Sequence, residues 1–150
     1  MDTNLSFYAI PLAWILSVSP HVYAVRVHDA KSAKKFDNTQ PRSLTASLDQ
    51  NQSLDKATKD TIIRAEGAQQ NGFENLGFFA AAVVAGNVAG LEPTLLNGLA
   101  YGYLLTRVVY NLVYINNTTE PVATGRTVIF LSGVGCCFGL FITAGNKMRS

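Results

Sequence analysis

The stretch PTLLNGLAYGYLLTRVVYNLVYINN, Pro93 to Asn117, decides how this chain is read. It is long and apolar enough to cross a bilayer, and its only charge is Arg107. A guanidinium at that depth costs between about 2.5 and more than 10 kcal/mol, so something must hold it. An ionisable group inside a membrane span is by default a functional-site candidate. Tyr103, Arg107, Tyr110, Asn111 and Tyr114 recur at helical spacing and so line one face of a helix.

Composition outside this stretch agrees with a membrane protein. Of 150 residues 48% are hydrophobic and 15% charged, where soluble domains carry about 25% charged. The length allows one domain, 1–150. Charge is concentrated between Arg26 and Glu66. A net charge of +2 without a basic patch interleaved with aromatics argues against nucleic acid. Cys136 and Cys137 are neighbours in an apolar run. Adjacent cysteines do not close a disulfide of normal geometry, and no metal-ligand spacing is present, so buried free thiols are expected and no metal.

The fold expected is an all-α membrane protein, a four-helix transmembrane bundle, with spans at about 5–27, 58–91, 94–115 and 122–144. Pro11 and Pro20 interrupt the first span, which membrane helices tolerate. The leader Met1-Asp2-Thr3-Asn4 has no basic residue and no small-residue cleavage site, which predicts a retained span. Gly90, Glu92 and Pro93 predict a short turn between spans two and three. The polar segment at about 28–59 reads as a loop with a short helix. It carries Lys31, Lys34, Lys35, Arg42, Lys56 and Lys59, against Lys147 and Arg149 on the opposite side. The positive-inside rule then predicts a cytosolic loop and lumenal termini. The glycosylation triplets starting at Asn51, Asn116 and Asn117 fall on the cytosolic side and should be unused.

With this topology the polar stripes converge on one leaflet. Arg64, Asn71, Glu74 and Asn75 fall within a stripe of about 100° on span two. Span three brings Arg107, Tyr110 and Tyr114, span four begins with Arg126, and span one ends with Tyr23, Arg26 and His28. Each residue also has a plainer reading. Arginines near span ends snorkel to headgroups. Trp14, Tyr101 and Tyr103 serve as interface aromatics or core filler, and Asn71 and Glu74 as glue between helices. His28 reads as a solvated loop residue. Glu74 facing Arg107 would form a charge pair under either reading. Gly67, Gly72, Gly77, Gly133, Gly135 and Gly139 predict close helix approach.

The segment Arg64-Ala65-Glu66-Gly67-Ala68-Gln69-Gln70-Asn71-Gly72-Phe73-Glu74-Asn75 resembles the second-helix signature of the MAPEG family. These are membrane-associated proteins of eicosanoid and glutathione metabolism, including microsomal glutathione transferases and prostaglandin E synthase. That signature reads approximately R-A-H-x-N-x-x-E-N before an apolar run, whose place Leu76-Gly77-Phe78-Phe79 takes. Arg107-Val108-Val109-Tyr110 with Tyr114 is similar to the family's third-helix R-x-x-[YH]-x-x-x-Y. Four spans, a long polar loop after the first and an arginine opening the fourth complete a resemblance that covers essentially the whole chain.

The resemblance implies a homotrimer in the endoplasmic reticulum membrane, with glutathione in a cleft between protomers facing the cytosolic leaflet. By matching motif positions, Arg64, Asn71, Glu74, Arg107, Tyr110 and Tyr114 would bind glutathione, and Arg126 would stabilise its thiolate. Arginine forks suit glutathione's two carboxylates, and an arginine beside a thiol favours the anion. Three departures stand out. Gln69 replaces the common histidine, Gly67 replaces the second of the paired arginines, and the link from Tyr114 to Arg126 is longer than in mammalian enzymes. Arg26, Lys31 and Lys34 all compete for the first-helix arginine. Three functions follow from the resemblance. One is a glutathione-dependent transferase or peroxidase for lipophilic electrophiles. The others are a tailoring isomerase or cyclase of a hydrophobic metabolite, and a non-catalytic lipid-binding or scaffold protein.

Overall fold

The computed structural model of the chain describes residues 3–149, so Met1 and Asp2 of the leader lie outside the described residues. A 3-10 turn, Ser6–Tyr8, leads into α1 (Ala9–Lys31). The polar segment after it holds a 3-10 turn, Pro41–Ser43, and α2 (Leu44–Ser47). Three long helices follow, α3 (Lys56–Val88), α4 (Pro93–Asn116) and α5 (Glu120–Arg149), and the four long helices pack side by side as a bundle.

Local chemistry sets the ends. Asp55 caps α3 by accepting the Thr58 amide at 2.7 Å, one of the donors a helix start leaves unpaired. At the other end Gly90 takes φ +67, a left-handed conformation that a side chain would oppose. Gly90 N–H donates to the Asn87 carbonyl and Leu91 N–H to the Gly86 carbonyl, closing the last turn as a Schellman motif. Pro93 then opens α4, where its missing N–H costs nothing. The α1 helix runs past Val27 to Lys31. His28 is consequently not a solvated loop residue: it is 6% exposed in the last turn of α1, with Nδ1 3.1 Å from the Asp29 carboxylate.

Two cores hold the bundle. At the end away from the polar segment, Phe79 of α3 stacks on Tyr103 of α4 with centroids 4.0 Å apart, among Ala9, Val83, Leu96, Cys137 and Leu140. At the other end Leu44, Leu48 and Leu54 of the polar segment pack onto Ala24, Ile62 and Ala65. The segment is thereby anchored to α1 and α3. Its carboxylates accept backbone amides, Asp37 from Thr39 and Asp55 from Thr58, and Asp29 in the last turn of α1 accepts from Phe36. Hydrogen bonding holds Asp37 and Asp55 below the ordinary 3.8, with the leading cause a bond from Thr39 and Thr58 respectively.

Small residues permit the close crossings. A Cβ on Gly72 would stand 2.9 Å from Ser17 Cβ and Oγ, so α1 and α3 touch there backbone to backbone. Gly133 makes room for the Thr106 side chain of α4, whereas Gly77 and Gly135 face open space and serve no crossing within the protomer. Pro20 lies inside α1 and has no N–H for the Leu16 carbonyl one turn back. That carbonyl accepts instead from Asn111 Nδ2 of α4 at 2.9 Å and from Ser19 Oγ at 3.0 Å.

The outer faces are apolar. Leu105, Val128 and Ile142 are 66%, 61% and 60% exposed. Over their most apolar windows the helical stretches Ser6–Lys31 and Glu120–Arg149 reach mean hydropathies of 1.3 and 2.1, long and apolar enough to cross a membrane. The α3 and α4 helices carry the polar residues, and those residues build the site.

Candidate functional site

The α3 and α4 helices run antiparallel in a register visible in four contacts. Arg64 meets Ile115, Gly67 meets Tyr114, Asn71 meets Arg107, and Phe79 meets Tyr103. The α5 helix closes the group by laying Phe130 and Arg126 against α4.

Arg107 lies at the centre, 5% exposed. Its Nη1 donates to Asn71 Oδ1 at 2.8 Å. Its guanidinium carbon is 5.0, 5.4 and 5.3 Å from the ring centroids of Tyr103, Tyr110 and Phe130. Aromatic faces thus surround a cation that no carboxylate pairs among the described residues. Nε and Nη2 are buried and have no hydrogen-bond partner there. The expected Glu74–Arg107 pair is absent. Glu74 lies three residues beyond Asn71, about 60° round the helix from the residue that meets Arg107. It is exposed and accepts from Gln70 Nε2 at 2.9 Å.

Arg64 is half-buried and caps the end of α4, with Nε donating to the Ile115 carbonyl at 2.8 Å and Nη2 to Thr61 Oγ1 at 3.1 Å. A cation at a helix C-terminus also favours the helix dipole. Arg126 is half-buried and stands 4.3 Å from the centroid of the Tyr114 ring, with no ion pair among the described residues. Tyr114 in turn meets Tyr110 edge-on at 5.4 Å. Asn71, Arg107, Tyr110, Tyr114 and Arg126 therefore form one continuous series of contacts. Arg64 sits at its polar-segment end and Glu74 on its open flank.

Other residues go elsewhere. Asn111 serves the Leu16 carbonyl rather than this group, and Asn75 Nδ2 bonds back to the Asn71 carbonyl. Tyr103 is core, at 2% exposure, while Trp14 and Tyr101 lie on the surface. Of the three first-helix candidates, Lys31 donates to Thr58 Oγ1 at 2.9 Å, and Arg26 and Lys34 are exposed. None of them reaches the group within the protomer. Cys136 and Cys137 are free thiols, half-buried and buried. Sequence reasoning missed Phe130, although it lies one turn from Arg126 on the same helix face. It also missed the pair His21–Glu66, whose Nδ1 and Oε1 are 2.7 Å apart between α1 and α3.

An all-α bundle with apolar outer faces and a polar group enclosed among its helices defines a membrane protein with a buried polar cluster. The sequence model of the MAPEG family matches residues 5–146, and the chain belongs to that family. No individual curated protein and no solved structure matches it. Members of the family are four-helix membrane proteins, mostly glutathione-dependent enzymes, with non-catalytic members among them.

Proposed function

We propose that this protein is a membrane-bound, glutathione-dependent transferase or peroxidase acting on lipophilic electrophiles. The observation that carries the proposal is Arg126, held on the Tyr114 ring without a carboxylate to neutralise it. In a setting of low dielectric such a cation favours an anion beside it. The donor set also suits the tripeptide. Arg107 retains two buried nitrogens without acceptors, Asn71 has its oxygen engaged and its amide nitrogen left to donate, and Glu74 offers a carboxylate for an α-amino group.

In this reading Arg64, Asn71, Glu74, Arg107, Tyr110 and Tyr114 bind and orient glutathione. Glutathione supplies the sulfur nucleophile. Arg126 stabilises the thiolate charge, which sets the fraction of competent nucleophile. The apolar surroundings admit a lipophilic co-substrate and exclude water. Arg64, Glu74 and Arg126 expose charged groups on the bundle's flank, so the site is completed between the protomers of a homotrimer. Native mass spectrometry in detergent tests this assembly. A trimer is expected, and a stable monomer overturns the interfacial site. The protein resides in the endoplasmic reticulum with its polar segment cytosolic and its termini lumenal, in keeping with the excess of lysine and arginine in that segment.

Arg126→Ala reduces the thiolate absorbance of bound glutathione near neutral pH while leaving its affinity largely intact. Arg126→Lys recovers part of that absorbance, since a point charge remains without the planar fork. Ultraviolet difference spectra and calorimetry on the same variants measure the two quantities. An unchanged thiolate signal in Arg126→Ala removes this role. Wild-type protein that binds no glutathione moves the reading to a tailoring isomerase or cyclase, or to a lipid-binding scaffold.

A further inference from the structure

The helix register sets a bare α-carbon against a phenol that carries an arginine. A Cβ built on Gly67 would stand 3.0 Å from the Tyr114 hydroxyl oxygen and 3.4 Å from Cε1 and Cζ of the same ring. Carbon contacts are comfortable at about 3.5–4.0 Å, so the phenol occupies space that any other residue at 67 would contest. Tyr110 confines the ring from another side at 5.4 Å. The Arg126 guanidinium carbon rests 4.3 Å from the ring's centroid, its one aromatic contact among the described residues.

We infer that Gly67 is a positioning residue. By presenting no side chain it seats the Tyr114 phenol against α3, and through that ring it sets where the Arg126 guanidinium stands. The inference rests on the thiolate role proposed for Arg126. Position 67 is also where the family signature carries a second arginine. In this chain α3 carries no cation there, and the space holds the ring that supports a cation from α5. A methyl group at 67 forces the phenol to give by a few tenths of an ångström, and the stacked guanidinium moves with it. Alanine is otherwise the better helix former, so a weaker helix does not explain a change in the site.

The test compares Gly67→Ala, Tyr114→Phe and the double variant in the full chain, in detergent or nanodiscs. The first readout needs no glutathione: the rate at which phenylglyoxal modifies Arg126, followed by mass spectrometry. The second is the pH titration of the thiolate absorbance of bound glutathione, with affinity from calorimetry. Gly67→Ala raises the modification rate. It also shifts the thiolate titration upward by about one pH unit, a tenfold loss of thiolate below its pKa, with little change in affinity. In the Tyr114→Phe background, where the colliding oxygen is gone, the same substitution changes neither readout. Unchanged readouts in Gly67→Ala overturn the inference, as does an equal effect in both backgrounds. Should Gly67→Ala fail to assemble, Tyr114→Leu removes the ring beside Arg126 without altering α3. It must raise the modification rate, and an unchanged rate overturns the inference. A wild type that binds no glutathione removes the proposed function, and the modification rates then decide the positioning role alone.

Discussion

Arg107 lies buried in α4 without a counter-ion among the described residues; three aromatic rings and one amide oxygen take that place. A desolvated cation–π contact is worth about 2 kcal/mol, so a cage of rings offsets much of the cost of the buried charge. The arrangement also fixes Asn71. With Oδ1 accepting from the guanidinium, the amide nitrogen is the group left to meet a ligand carboxylate. Arg107→Lys keeps the charge, but a compact ammonium on a flexible stem does not reproduce the planar fork between the rings. We expect glutathione to bind about tenfold more weakly, roughly the value of one charge-assisted hydrogen bond. The thiolate signal at saturating glutathione should persist. Calorimetry that returns wild-type affinity removes the Asn71–Arg107 pair from binding.

At the scale of the element, α1 carries a proline in its interior, and the bundle compensates from a neighbouring helix. The Leu16 carbonyl, deprived of its partner by Pro20, accepts from Asn111 across the α1–α4 contact. A polar side chain facing lipid-soluble surroundings thus acts as a patch for a broken helical ladder. Asn111→Leu should destabilise the protein by about 1 kcal/mol, read as a lowered Tm in detergent. Pro20→Ala restores the missing N–H and should make the same substitution at Asn111 milder. Equal losses in the two backgrounds would show that Asn111 matters for some reason other than this carbonyl.

At the scale of the whole molecule, the polar segment is a packed cap rather than a loose tether, held by Leu44, Leu48 and Leu54 and by three carboxylates that accept backbone amides. Asp37 and Asp55 titrate below the ordinary 3.8 in the folded protein. A depressed folded pKa means that the ionised form stabilises the fold above the unfolded value. That stability is lost as pH falls through the folded one. The cap should therefore stay closed at neutral and mildly acidic pH and loosen only below about pH 4. Hydrogen exchange at the amides of Thr39 and Thr58, each corrected for its intrinsic rate, reports it. Loosening that begins near pH 6 would remove the carboxylates as its cause.

Much of this molecule is legible in the order of its residues, because membrane solubility and helix periodicity are local properties. Four helices, the turn at Gly90, the polar segment and the shared face of Arg107, Tyr110 and Tyr114 all follow from composition and spacing. Partners across helices do not, because each depends on how far one helix slides and turns against the next. Glu74 shares a helix stripe with Asn71 yet bonds to Gln70 of its own helix, and Asn71 takes the contact with Arg107. Gly67 reads in the sequence as a lost arginine, and only the α3–α4 register turns it into the seat of Tyr114. Asn111 belongs to the site by periodicity and to Leu16 by packing, since Pro20 left a carbonyl in the bilayer that had to be paired.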